Sequence, residues 1–205
     1  MTDQHPFSAL GPDQVLTAIE STGLICDGRM LALNSYENRV YQVGIEAGEP
    51  IVAKFYRPAR WSREQIEEEH QFIRELEAAE LPVVAPLLNA EGSSLYDYPP
   101  FKFAIFPRRG GRLPELDFDT LNSVGQTLGK LHSIGRLRPF RFRQELTVAG
   151  HGETSCHFLL ENDFIPSELL PAYESLTNDL LDRIDDVFHD CEQVSHLRLH
   201  GDCHP

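Results

Sequence analysis

Apolar positions along this chain follow two regimes, and the change between them predicts two lobes. Across residues 12–22, Val15, Leu16 and Ile19 form a helical stripe, and Gly23 stands where a C-cap is wanted. Three short strand-like runs follow at 30–33, 39–45 and 51–55, with Gly44, Gly48 and Pro50 marking the connection between the last two. They predict a small antiparallel sheet. Ser62 and Gln65 then have capping-box spacing at the start of a helix whose stripe is Ile66, Ile73 and Leu76. Pro82 and Pro86 end that helix, and two further strands are expected at 83–88 and 101–106.

After Pro107 the pattern turns helical. Arg108-Arg109-Gly110-Gly111 reads as a hinge, which divides the chain into an N-terminal lobe, 1–107, and a partial helical lobe, 108–205. Asp119 is placed to cap a helix carrying Leu121, Val124, Leu128 and Leu131, with Gly135 as its terminator. Ser167 is placed to cap another that carries Leu176, Leu180, Ile184 and Val187. Residues 136–163 between them are poorly periodic. Sheet first and helices second is a bilobal α+β order.

Composition narrows the class. The 205 residues are 41% hydrophobic and 24% charged, the balance of a globular protein. No apolar run approaches the roughly 18 residues that span a membrane, and residues 1–10 lack the features of a secretory signal. A cytoplasmic monomer is expected. The net charge of −14 disfavours nucleic acid as a partner. Ten acids and one arginine lie in 161–192, the signature of a solvated helix face. Arg136, Arg138, Arg141 and Arg143 form the opposite cluster, either a solvated loop or a surface for an anion. Cys26, Cys156, Cys191 and Cys203 have no CxxC spacing and are expected to be free thiols.

Three segments carry chemistry. Lys54 lies in Ile-Val-Ala-Lys-Phe-Tyr, on the strand face it shares with Val52. Its ammonium needs an anion or an outlet to water. Glu69 falls on the stripe of the next helix, where an unpaired carboxylate would cost several kcal/mol, by order of magnitude. Lys54 is its expected partner, and a strand Lys paired with a helix Glu is a phosphate-holding device of kinases. The second segment is Asn34-Ser35-Tyr36-Glu37-Asn38, between the first two strands. There is no GxGxxG, so Ser35 and backbone N–H groups would contact phosphate; a plain hairpin turn is the competing reading. The third is Leu197-Arg198-Leu199-His200-Gly201-Asp202-Cys203-His204. Its Asp would take or orient the proton of an acceptor hydroxyl, with the His holding the loop. The alternative is a metal site of His200, Asp202 and His204, although three groups on one short loop rarely encircle an ion unaided.

Several strings strengthen the first reading of each segment. Leu-Asn-Ser-Tyr-Glu-Asn-Arg-Val-Tyr-Gln (33–42), Ala-Lys-Phe-Tyr-Arg-Pro (53–58), Glu-Glu-His-Gln-Phe (68–72), Gly-Gly-Arg (110–112) and Leu-Arg-Leu-His-Gly-Asp-Cys-His (197–204) resemble the bacterial stress response kinase A family. The resemblance implies the protein-kinase-like fold of aminoglycoside and choline phosphotransferases. It implies a cytoplasmic enzyme that phosphorylates Ser/Thr on proteins with ATP and Mg²⁺, linked to envelope and oxidative stress. By position it makes Ser35 an ATP contact, Lys54 the phosphate lysine, Glu69 its ion-pair partner, 103–106 the adenine-side hinge and Asp202 the catalytic base. The family pattern continues past His204 with Gly-Asn and an Asp-rich motif that hold Mg²⁺. Here Pro205 follows His204, so the resemblance breaks off within the catalytic loop. The 205-residue chain is therefore expected to lack Mg²⁺ ligands and to be inactive by itself. Two other functions stay open: a small-molecule phosphotransferase of the choline or aminoglycoside type, and a non-catalytic nucleotide-binding remnant.

Overall fold

Alternation of side chains along the central strand explains how the helices are placed around the sheet. In the computed structural model, which describes residues 5–111, 114–191 and 195–203, the chain divides into two compact units. One runs to Gly135 and takes in the residues from Leu199 onward; the other is Arg136–Arg198.

The first unit holds α1 (Pro12–Glu20), β1 (Cys26–Leu33), β2 (Arg39–Ile45), β3 (Ile51–Tyr56), α2 (Arg63–Ala78), β4 (Tyr96–Tyr98), β5 (Phe101–Pro107) and α3 (Phe118–Gly135). The five strands are antiparallel in the order β1-β2-β3-β5-β4. With its helices this makes the fold α+β. On β3, Ile51, Ala53 and Phe55 point to one face. They join Val43, Phe101, Phe103 and Ile105 from neighbouring strands and Val15, Ala18 and Ile19 from α1 in the main core. Phe55 and Phe103 stack there with ring centroids 5.1 Å apart. Tyr56 points to the other face, where it packs with Ile66 of α2, Leu95 and Ala104. The sheet thus carries α1 on one side and α2 on the other.

Local signals hold well at α2. Ser62 Oγ accepts from the Gln65 N–H at 3.2 Å, while Gln65 Oε1 accepts from the Ser62 N–H at 2.9 Å. Its buried positions are Ile66, His70, Phe72 and Leu76, with Ile73 only half-buried.

Other expectations need correction. Residues 83–88 form no strand: Pro82 and Pro86 lack N–H groups, and a single bond from Leu87 N–H to Ile105 O, 2.7 Å, ties the segment to β5. The strand beside β5 is instead the three-residue β4, too short to show a pattern. The cap of α3 is Asp117, whose Oδ1 accepts from the Thr120 N–H at 2.8 Å; Asp119 lies inside the first turn. Leu131 of α3 is buried, but Leu121 and Val124 are exposed.

In the second unit a π-helical turn (Val148–Glu153) and α4 (Thr154–Glu161) occupy the stretch without periodicity, followed by α5 (Leu170–Asp190). Gly152 sits so close to α5 that a Cβ there would collide with Leu181. Ser167 does not cap α5; it lies in the turn before the helix, 3.4 Å from Glu168 Oε2. Leu176, Leu180, Ile184 and Val187 are exposed. The four cysteines are free thiols. Among the described residues no helix is long and apolar enough to cross a membrane.

Candidate functional site

Lys54 owes its position to the register of the sheet. It stands opposite Val40 on β2 and Ala104 on β5, on the face that α2 covers. Its Nζ lies 3.4 Å from Glu69 Oε1 and 4.8 Å from the centroid of the Tyr56 ring. The side chains are 26% and 29% exposed. The expected pairing is formed, but Glu69 is half-buried rather than fully enclosed. Its desolvation cost is correspondingly smaller than that of a core carboxylate, and so is the energy the pair can return.

A group without an assigned role in the sequence lies directly behind this pair. His70 is fully buried, with Nε2 2.7 Å from Tyr56 Oη and Nδ1 2.9 Å from Ser94 Oγ. A neutral imidazole donates from one nitrogen and accepts at the other, and a hydroxyl can serve either. Burial pushes the imidazole down to about 4, with Lys54 and Arg74 acting in the same direction and Glu69 against it. His70 is therefore a neutral strut between α2, β3 and the segment before β4. Arg63 adds a second tie, bonding Glu67 at 2.9 Å and pairing with Asp97 on β4.

Ser35 is half-buried in the loop 34–38, and Tyr36 beside it is fully exposed. Glu37 anchors this loop: its Oε1 accepts from Trp61 Nε1 at 2.8 Å and from Arg60 Nε at 3.1 Å. The Glu-Glu-His-Gln string and the single tryptophan were visible in the sequence. Neither has a period or motif that assigns it a partner.

Asp202 is exposed on a separate, irregular segment. Gly201 takes φ +78, a left-handed conformation suited to glycine, which lets the Asp202 N–H donate to His200 Nδ1 at 3.3 Å. His200 is itself exposed, so it shapes the turn through this bond rather than by packing. The structure therefore joins Lys54 with Glu69, places Ser35 on the loop leading into β2, and sets Asp202 in a tight turn of its own. Among the described residues no group of three His, Cys, Asp or Glu is placed to hold a metal ion. His204, the third member of the alternative metal site, and Arg112 of the Gly-Gly-Arg string lie outside the described residues.

Comparison with known proteins adds three findings. The model of a phosphotransferase enzyme family matches residues 30–205. Over 199 residues, 97% of this chain, the sequence is 41% identical to a Salmonella typhimurium protein named serine/threonine protein kinase RdoA. Over the same share it is 39% identical to the stress response kinase A of Escherichia coli (strain K12). The chain spans 60% of the length of each. Among solved structures, amicoumacin kinase hAmiN in complex with AMP-PNP, Ca²⁺ and Ami superposes with a TM-score of 0.62 at 20% identity, over 82% of this chain and 53% of that one. Spectinomycin phosphotransferase APH(9)-Ia with ADP and spectinomycin gives 0.61 at 15% identity, over 94% and 63%. These likenesses show a shared fold.

Proposed function

This chain belongs to the phosphotransferase enzyme family, and from that premise we propose that it is the nucleotide-binding part of a cytoplasmic, monomeric Ser/Thr protein kinase of the stress-response type. The observation that carries the nucleotide site is the Lys54–Glu69 pair at 3.4 Å, quarter-exposed on the α2 face of the sheet. An ammonium has three donors. Glu69 takes one and fixes the direction of the others, which leaves Lys54 fit to bind phosphate oxygens. The half-buried Ser35 hydroxyl would add a contact from the loop before β2. ATP, when bound, supplies the phosphoryl group. The Asp202 carboxylate would take or orient the proton of the acceptor hydroxyl. Among the described residues no three His, Cys, Asp or Glu side chains stand together as a site for a cation such as Mg²⁺.

A protein acceptor is favoured by the name of the relative at 41% identity. The small-molecule alternative rests on titles of structures at 15–20% identity, which share the fold alone. Calorimetry with ATP and MgCl₂ tests the site. Lys54→Ala is expected to weaken ATP binding about 10-fold or more, the loss of a hydrogen bond to a charged group. Binding unchanged by that substitution places the nucleotide elsewhere. Incubation with labelled ATP, candidate proteins and small alcohols decides the acceptor class.

A further inference from the structure

The loop that would lie over the nucleotide is tied down chiefly through one carboxylate oxygen. Glu37 Oε1 receives both Trp61 Nε1, at 2.8 Å, and Arg60 Nε, at 3.1 Å. The Arg60 guanidinium in turn lies 4.9 Å from the centroid of the Trp61 ring. One residue further, Asn38 Oδ1 accepts from the Arg57 N–H at 3.4 Å. These donors all belong to the connection between β3 and α2, the strand of Lys54 and the helix of Glu69. The Trp61 ring packs against the cluster of Tyr56, Ile66, Leu95 and Ala104. That is the same Tyr56 whose ring lies under the Lys54 ammonium. The position of the loop is thereby referred to the floor on which Lys54 rests.

From this we infer that Glu37 is the positioning residue of the nucleotide loop, and that Trp61 senses nucleotide through it. The inference rests on the nucleotide reading of Lys54 and Ser35. The two halves of the clamp differ in weight. Arg60 and Glu37 side chains are 51% and 34% exposed, so their ion pair is screened and contributes little. The indole donor is partly buried and directed at a charged acceptor, which is the stronger kind of bond. A neutral amide oxygen at position 37 can still receive the indole N–H. Glu37→Gln should therefore keep most of the function that Glu37→Ala loses.

Trp61 is the single tryptophan of the chain, so tryptophan emission reports the surroundings of this ring, of which the Glu37 bond is one part. ATP with MgCl₂ is titrated into the 205-residue chain and followed by calorimetry and by Trp61 emission. The expected result is an emission change that saturates with the calorimetric Kd. Glu37→Ala should weaken that Kd by about 10-fold and abolish the emission change. Glu37→Gln should restore both to within about 3-fold of the parent. Amide exchange at 34–38 should slow on ATP addition in the parent chain, a readout that needs no variant. ATP binding with unmoved Trp61 emission, or with equal affinity in Glu37→Ala, overturns the inference while leaving the Lys54 site intact. Absence of ATP binding in the parent overturns both readings.

Discussion

The Tyr56 hydroxyl stands 2.7 Å from His70 Nε2, a contact between two buried side chains that locks α2 onto β3. Tyr56 is two residues beyond Lys54, and His70 is one beyond Glu69. The ion pair at the surface of the sheet is therefore backed by a neutral hydrogen bond beneath it, and Ser94 at 2.9 Å closes the other side of the imidazole.

Stability should depend on His70 in a defined pH window. Burial holds its folded-state value down to about 4, whereas an unfolded histidine titrates near 6.5. Between those values the unfolded chain binds a proton that the folded chain does not. Stability from this group is thus complete above about pH 6.5 and declines as pH falls toward 4, by about 3 kcal/mol at most. Urea unfolding at pH 7, 6 and 5 measures the slope. His70→Gln should flatten it, and an equal slope in that variant would assign the effect to other groups.

Replacing His70 with Leu removes both hydrogen bonds and leaves the Tyr56 and Ser94 hydroxyls buried. A destabilisation of about 2–4 kcal/mol is expected. Adding Ser94→Ala should recover part of it, because one stranded hydroxyl is then gone. Strict additivity of the two losses in a double-mutant cycle would argue against the shared strut.

At the surface pair, Glu69→Gln should weaken ATP binding less than Lys54→Ala does. The amide still accepts from Lys54, while the cation that meets phosphate is untouched. Partial exposure of both side chains limits the stability cost of Glu69→Gln to about 1 kcal/mol or less. Thermal unfolding and calorimetry on the same samples separate the two effects.

The start of α3 offers a test of capping. Asp117→Ala should cost about 1 kcal/mol, since the Thr120 N–H loses its acceptor. The same hydrogen bond holds the Asp117 carboxyl below its usual range. Asp119→Ala removes only a charge in the first turn and should cost less, roughly 0.3–0.5 kcal/mol. Equal effects in chemical denaturation would put the cap at the wrong aspartate.

Burial should rank the apolar substitutions. Phe103→Ala empties a fully buried site stacked on Phe55 and is expected to cost about 3–5 kcal/mol. Leu180→Ala on α5, 48% exposed, should change stability by about 0.5 kcal/mol or less. Urea midpoints at constant m-value check both.

What the residues alone determined is local or nearly so. Alternation at 39–45 and 51–55, the Ser62–Gln65 box and the stripes of α1 and α2 each need only a few consecutive positions to declare an element. The Lys54–Glu69 pairing was also readable, because a strand and the helix that follows it bring their facing residues together. The tertiary structure decided the rest. Proline placement removed a strand at 83–88 that hydrophobicity alone suggested, since a ladder needs N–H donors. The apolar stripe of α5 is exposed, because periodicity says which positions share a face and not what covers that face. His70 with Ser94, and Glu37 with Trp61, each join residues 24 apart in the chain. No short-range pattern encodes such a distance; it exists only once the sheet has set which strands and loops are neighbours.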